Sequence, residues 1–148
     1  MIALAILALA FQDETRPLIT FSKSTMLGTV QYEVTIGESA SSGPDHVYWF
    51  RVVRMRNDKV ADTRWTDSTR CPGGAQVLRS LADKAAMLRR EGSGGSGSGG
   101  DGSGRDRYAL EGLSGAPFDL GGVRLEDARD SPLGDWINDS LDQLSFCG

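Results

Sequence analysis

"HVYWFRVVRMRNDKVADTRWT", residues 46–66, decides the fold. Residues 46–56 are β-branched, aromatic and basic, a composition that suits a strand. Asn57 and Asp58 supply a tight turn, and residues 59–66 return as a second strand. Upstream, "TVQYEVTI" (29–36) alternates strictly: Val30, Tyr32, Val34 and Ile36 face one way, and Thr29, Gln31, Glu33 and Thr35 the other. Period two marks a strand with one buried and one wet face. The loop "GESASSGPD" (37–45) joins the first strand to the second, so the three predict an antiparallel meander.

After Cys71 and Pro72 the period changes. Val77, Leu78, Leu81, Ala85 and Leu88 recur at helical spacing, with Arg79, Asp83, Lys84, Arg89 and Arg90 elsewhere on the circumference. Pro72 fits a first helical turn, where its missing N–H has no intrahelical partner to lose. Ser68 or Thr69 is the expected cap, and Arg89 and Arg90 sit where the helix dipole favours positive charge.

Residues 91–104 contain twelve Gly or Ser in fourteen positions, the composition of a flexible linker with a reach of about 20 Å. The run lacks a Gly-Lys-Ser/Thr sequence and follows no strand, so it does not read as a phosphate loop. "RYALEGL" (107–113) and "FDLGGVRLE" (118–126) predict a hairpin. In the closing stretch Ser131 caps, Pro132 opens, and Leu133, Ile137, Leu141 and Leu144 form one apolar stripe. The expected architecture is α+β: a small antiparallel sheet, made of a three-strand meander plus a two-strand hairpin, with two helices packed on one face.

The chain has 148 residues, enough for one modest core, and a net charge of −4. That acidic balance argues against nucleic acid as the main partner, since phosphate contacts need clustered Lys and Arg; thirteen of the sixteen positive side chains are Arg. Residues 2–11 are all apolar, and Ala8-Leu9-Ala10 has the small-x-small form of a signal-peptidase site. No Lys or Arg precedes that run, which leaves a buried first element as the alternative. Such a stretch is shorter than the roughly 20 residues that span a bilayer. We therefore read residues 1–10 as a signal peptide and 11–148 as a single domain interrupted at 91–104. Its expected location is exported, periplasmic or extracellular.

Only two cysteines occur, Cys71 before the first helix and Cys147 after the second. In an oxidising compartment two such residues pair, and antiparallel helices would bring them together. The rival is a thiol enzyme: a helix N-terminus stabilises a thiolate at Cys71. "STRC" (68–71) has the Ser-x-x-Cys spacing seen in peroxiredoxins, but their proline three residues before the serine is Trp65 here. No Cys-x-x-Cys is present. His46 is the only histidine, too few for a zinc site or a hydrolase triad without further partners, so neither metal nor cofactor is expected.

Glu126, Asp127, Asp130, Asp135, Asp139 and Asp142 concentrate acid near the C-terminus without the alternating ligands of a calcium loop, and read as a solvated face. Asn138-Asp139-Ser140 is formally a glycosylation sequon. The candidate contact surface is the aromatic and basic strand itself. Trp49 points opposite to Tyr48 and Phe50, and Trp49, Arg51, Arg54 and Arg64 form a ligand or partner surface if that face is uncovered. An unknown protein or a small anionic ligand is the expected partner. The sequence thus describes a disulfide-stabilised binding or accessory domain, with a Cys71 redox enzyme as the alternative.

Overall fold

A computed structural model of the chain describes residues 16–25, 28–39, 47–93, 106–112, 124–128 and 131–147. The elements run β1 (Arg16–Ser24), β2 (Val30–Glu38), β3 (Tyr48–Arg56), β4 (Lys59–Asp67), α1 (Pro72–Ser93), β5 (Arg107–Gly112), β6 (Arg124–Ala128) and α2 (Pro132–Ser145). The six strands form one antiparallel sheet in the order β4-β3-β2-β1-β5-β6. The class is α+β. The meander has four strands rather than the expected three, because β1 precedes it and links it to the β5–β6 pair.

β1 escapes a sequence reading because a bulge at Leu18 breaks its alternation. Pro17 lies opposite Gly37 and Ile19 opposite Ile36, with Leu18 extra. Leu18, Ile19 and Phe21 are all buried, so the strand shows no clean two-residue period. The next inward position is Lys23, a charge where the pattern calls for an apolar residue. Its ammonium is held by Asn138 Oδ1 at 2.7 Å and Asp106 at 3.7 Å, and lies 5.8 Å from the centre of the Tyr108 ring.

The β3–β4 turn behaves as its residues require. Asn57 and Asp58 have φ of 50° and 59°, both left-handed, as a two-residue hairpin turn matching strand twist demands. Alternation then sorts the sheet into two faces. The inward face carries Ile19, Phe21, Val34, Ile36, Phe50, Val52, Leu110 and Leu125, all buried.

Both helices contribute to this core. An added Cβ at Gly74 in α1 would stand 2.6 Å from the Phe50 ring. In α2, Trp136 meets Phe21 edge-on with centroids 5.0 Å apart. Its indole N–H donates to Ser80 Oγ of α1 at 2.9 Å. Val77, Leu78 and Leu81 of α1 are buried, whereas the Ala85, Leu88, Arg89 and Arg90 side chains lie outside the described residues. On α2, Leu133, Ile137 and Leu144 are buried, and Asp135, Asp139 and Asp142 are exposed.

Ser131 caps α2 as expected, accepting the Gly134 N–H at 3.0 Å, with Pro132 following. The cap of α1 is not Ser68 or Thr69. Ser68 Oγ accepts the Tyr48 N–H at 3.1 Å and so clips the start of β3. Cys71 takes the capping position, its Sγ accepting the Gly74 N–H at 3.1 Å.

Asp67, at the end of β4, organises the turn into α1 by accepting from Thr69 N, Thr69 Oγ1 and Arg70 N. Its carboxyl is held below the ordinary carboxylate range. The Thr69 hydroxyl is the main cause; burial opposes it, and the two backbone N–H groups and the Arg70 charge reinforce it. A depressed folded-state pKa stabilises above the unfolded value and is lost as pH falls through the folded one. Asp67→Asn is therefore expected to lower stability at neutral pH and flatten its fall on acidification, read by urea unfolding against pH. An unchanged acid slope would remove Asp67 from this role.

Residues 1–15 and 94–105, which hold the apolar leader and most of the Gly/Ser run, lie outside the described residues, as do His46 and residues 113–123.

Candidate functional site

The outward face of the sheet holds the candidate site. Strand alternation places Trp49 and Arg51 of β3 outward, with Glu33 and Thr35 of β2 on one side and Trp65 of β4 on the other. Arg51 lies directly opposite both Thr35 and Trp65. Trp49 lies opposite Gly37, whose missing side chain leaves room for the indole. The Trp49 and Trp65 ring centroids are 5.3 Å apart at 43°. The Arg51 guanidinium carbon stands 5.9 Å from the centre of the Trp65 ring.

Arg51 Nη2 is shared between Glu33 Oε1 at 3.4 Å and Thr35 Oγ1 at 3.3 Å. Both members of the Arg51–Glu33 pair are about 39% exposed, so the pair contributes at most about 1 kcal/mol. Its consequence is electrical: Glu33 balances the charge of Arg51. Trp65 is 60% exposed although it is large and apolar. The Trp49 indole N–H and Arg51 Nε are buried without a hydrogen-bond partner, a cost that packing elsewhere must offset.

Only half of the sequence-derived surface stays together. Trp49 and Arg51 are joined on the outward face, while Arg54 and Arg64 project from the opposite one. Arg54 is exposed and lies opposite Tyr32 and Asp62. Arg64 lies opposite Val52 and 3.5 Å from Asp62. It also lines a cavity of about 210 Å³ with Lys23, Tyr32, Asn138 and Asp142.

Trp65 is the residue that sequence reasoning missed, and the cause is a second bulge. The turn sets Arg56 opposite Lys59 and Met55 opposite Val60, but Arg54 pairs with Asp62, so Ala61 is extra. If Ala61 were instead paired with Arg54, continuing the register of the turn, Arg64 would stand opposite Arg51. The one-residue shift sends Arg64 to the helix side and brings Trp65 beside Arg51.

The other candidates resolve differently. Cys71 is bonded to Cys147 and completely buried, leaving no free cysteine. Among the described residues no group of three or more His, Cys, Asp or Glu converges on a metal position. Asn138 of the sequon donates its amide to Tyr108 Oη at 3.0 Å, and the Ser140 hydroxyl donates to Trp136 O at 2.7 Å, so both groups are used internally. Among the described residues no helix is long and apolar enough to cross a membrane. No protein-family model matches the chain, and neither a curated protein nor a solved structure matches it.

Proposed function

We propose that this chain is an exported, disulfide-stapled binding domain whose contact surface is the outward sheet face around Trp65, Trp49 and Arg51. The observation that carries the reading is Trp65: a large aromatic ring kept mostly in water, tilted against a second tryptophan and flanked by a guanidinium. Exposed Trp and Arg side chains that share one rigid face supply much of the binding energy of protein interfaces. Because Glu33 already neutralises Arg51, a free anion gains little there. A protein segment offering apolar surface with a few hydrogen-bonding groups fits better. A disulfide of this kind forms and persists in an oxidising compartment, which supports export. The Cys71 redox alternative needs an accessible thiolate, and the burial and pairing of Cys71 weigh against it.

Trp65→Ala is expected to change stability by no more than about 1–2 kcal/mol, since it removes an exposed ring and one aromatic pair. The same change is expected to abolish retention of a partner that the wild-type protein captures from its host's extracytoplasmic fraction. Undiminished retention, or a loss of stability typical of a core residue, would overturn the assignment.

A further inference from the structure

β4 is an edge strand with a solvent-facing backbone. It spans nine residues from Lys59 to Asp67, contains no proline, and is exposed at every position from Lys59 to Ala61 and at Asp62 and Thr63. Natural sheets protect such edges because unpaired N–H and C=O groups recruit another strand. The opposite edge, β6, has only five residues. β4 also carries two of the large apolar side chains that the fold leaves in water, Val60 at 64% and Trp65 at 60% exposure.

The side chains of β4 complement themselves. Antiparallel pairing of two copies about Thr63 sets Asp62 of each chain opposite Arg64 of the other, Thr63 opposite Thr63, and Ala61 opposite Trp65. Asp62 and Arg64 project from the same face of the sheet, so the two-fold axis gathers four charges of alternating sign. Opposite charges directly across an antiparallel pair stabilise it, and like charges there destabilise it. Within one chain Asp62 and Arg64 lie 3.5 Å apart, both more than 40% exposed, and Arg64 Nε makes no hydrogen bond. Their pairing is an exposed ion pair without a hydrogen bond, weak enough to be shared with a partner copy. Beyond residue 61 the bulge breaks the face alternation, which confines the complementary register to residues 61–65. The helices sit mainly over β1, β5 and β6, away from this edge. On the helix side, α2 comes near β4 only through the cavity that Arg64 lines with Asn138 and Asp142.

We propose that β4 is a self-pairing edge through which two copies of this chain form a two-fold dimer with one continuous twelve-stranded sheet. The interface is isologous, since the same strand serves both subunits. The axis runs perpendicular to the sheet, so both outward tryptophan faces lie on the same side. Ala61 is small enough to leave the partner's Trp65 ring uncovered. The dimer then presents two copies of that face to one surface, which raises avidity without a new contact.

A charge-swap experiment tests this. The wild-type chain is expected to sediment as a dimer between micromolar and millimolar concentrations. Asp62→Arg and Arg64→Asp each place like charges around the axis, and each is expected to weaken self-association by about tenfold or more. Mixing these two variants restores opposite charges across the pair and is expected to yield a heterodimer. The double variant Asp62→Arg/Arg64→Asp is expected to dimerise as the wild type does, and it carries the test if a single variant fails to fold by circular dichroism. A wild type that stays monomeric throughout would overturn the proposal. Dimers indifferent to both single substitutions would overturn it as well, as would folded single variants that fail to pair when mixed.

Discussion

Reduction of the Cys71–Cys147 bond is expected to lower the melting temperature by roughly 10–20 °C. The bond joins residues 76 apart in sequence, and cross-linking a loop of that length removes about 4–5 kcal/mol of unfolded-chain entropy. For a domain of this size each kcal/mol moves the midpoint by roughly 2–4 °C. The location adds to the effect. Cys71 begins α1 and Cys147 follows α2, at a close crossing of the two helices. An added Cβ at Gly73 would run into the backbone carbonyl of Gln143. The bond thus fastens a place where the two helices approach at backbone distance.

The cleanest measurement is the melting curve of Cys71→Ser/Cys147→Ser beside that of the oxidised wild type. Ser at residue 71 keeps an acceptor for the Gly74 N–H, and serine is among the better helix caps. The start of α1 should therefore survive, and the difference reports the covalent link. A midpoint unchanged after reduction, with both thiols shown to be free by titration, would remove the bond from the stability of the fold.

Trp136→Ala is expected to cost about 3–5 kcal/mol, the range for deleting a large buried aromatic side chain. Trp136 is 1% exposed and connects three elements: Phe21 of β1 through ring contact, Ser80 of α1 through the indole N–H, and its own helix. Removing it opens a cavity beneath the central strand and frees Ser80 Oγ. Ser80 also donates to Val77 O at 2.8 Å, so the hydroxyl remains anchored. Ser80→Ala is then expected to cost only about 1–2 kcal/mol, the penalty of leaving the indole donor unpaired. Urea unfolding of the two variants checks the ranking. Equal losses would mean that the ring contributes no more than its hydrogen bond.

Trp136 and Trp65 make an instructive pair, because composition cannot tell them apart. The helical stripe of Leu133, Ile137, Leu141 and Leu144 gives the sidedness of α2, and the structure buries Trp136 beside it. Trp65 has no such neighbour pattern. Its side of the sheet depends on whether the hairpin register is kept from the turn to the end of β4. The same difficulty hides β1, where the Leu18 bulge places two consecutive apolar residues in the core and sets Lys23 on the inward face. Tertiary contacts also move the cap of α1 from Ser68 or Thr69 to Cys71. Ser68 and Thr69 have capping chemistry, but β3 and Asp67 compete for their hydroxyls.

Local chemistry by itself determined the elements whose signals lie within a few residues of one another. These are the alternation of β2, the left-handed Asn57-Asp58 turn, the proline-led starts of both helices and the Ser131 cap. The pairing of Cys71 with Cys147 was also legible, because they are the only two cysteines and antiparallel helices bring the start of the first beside the end of the second. Register across strands was decided only in the tertiary structure. Each bulge inserts one residue whose presence is energetically set by contacts on neighbouring strands. One residue is enough to exchange the two faces of everything beyond it. That exchange sent Arg64 to the helix side, brought Trp65 to Arg51, and left Asp62 and Arg64 together on the exposed edge.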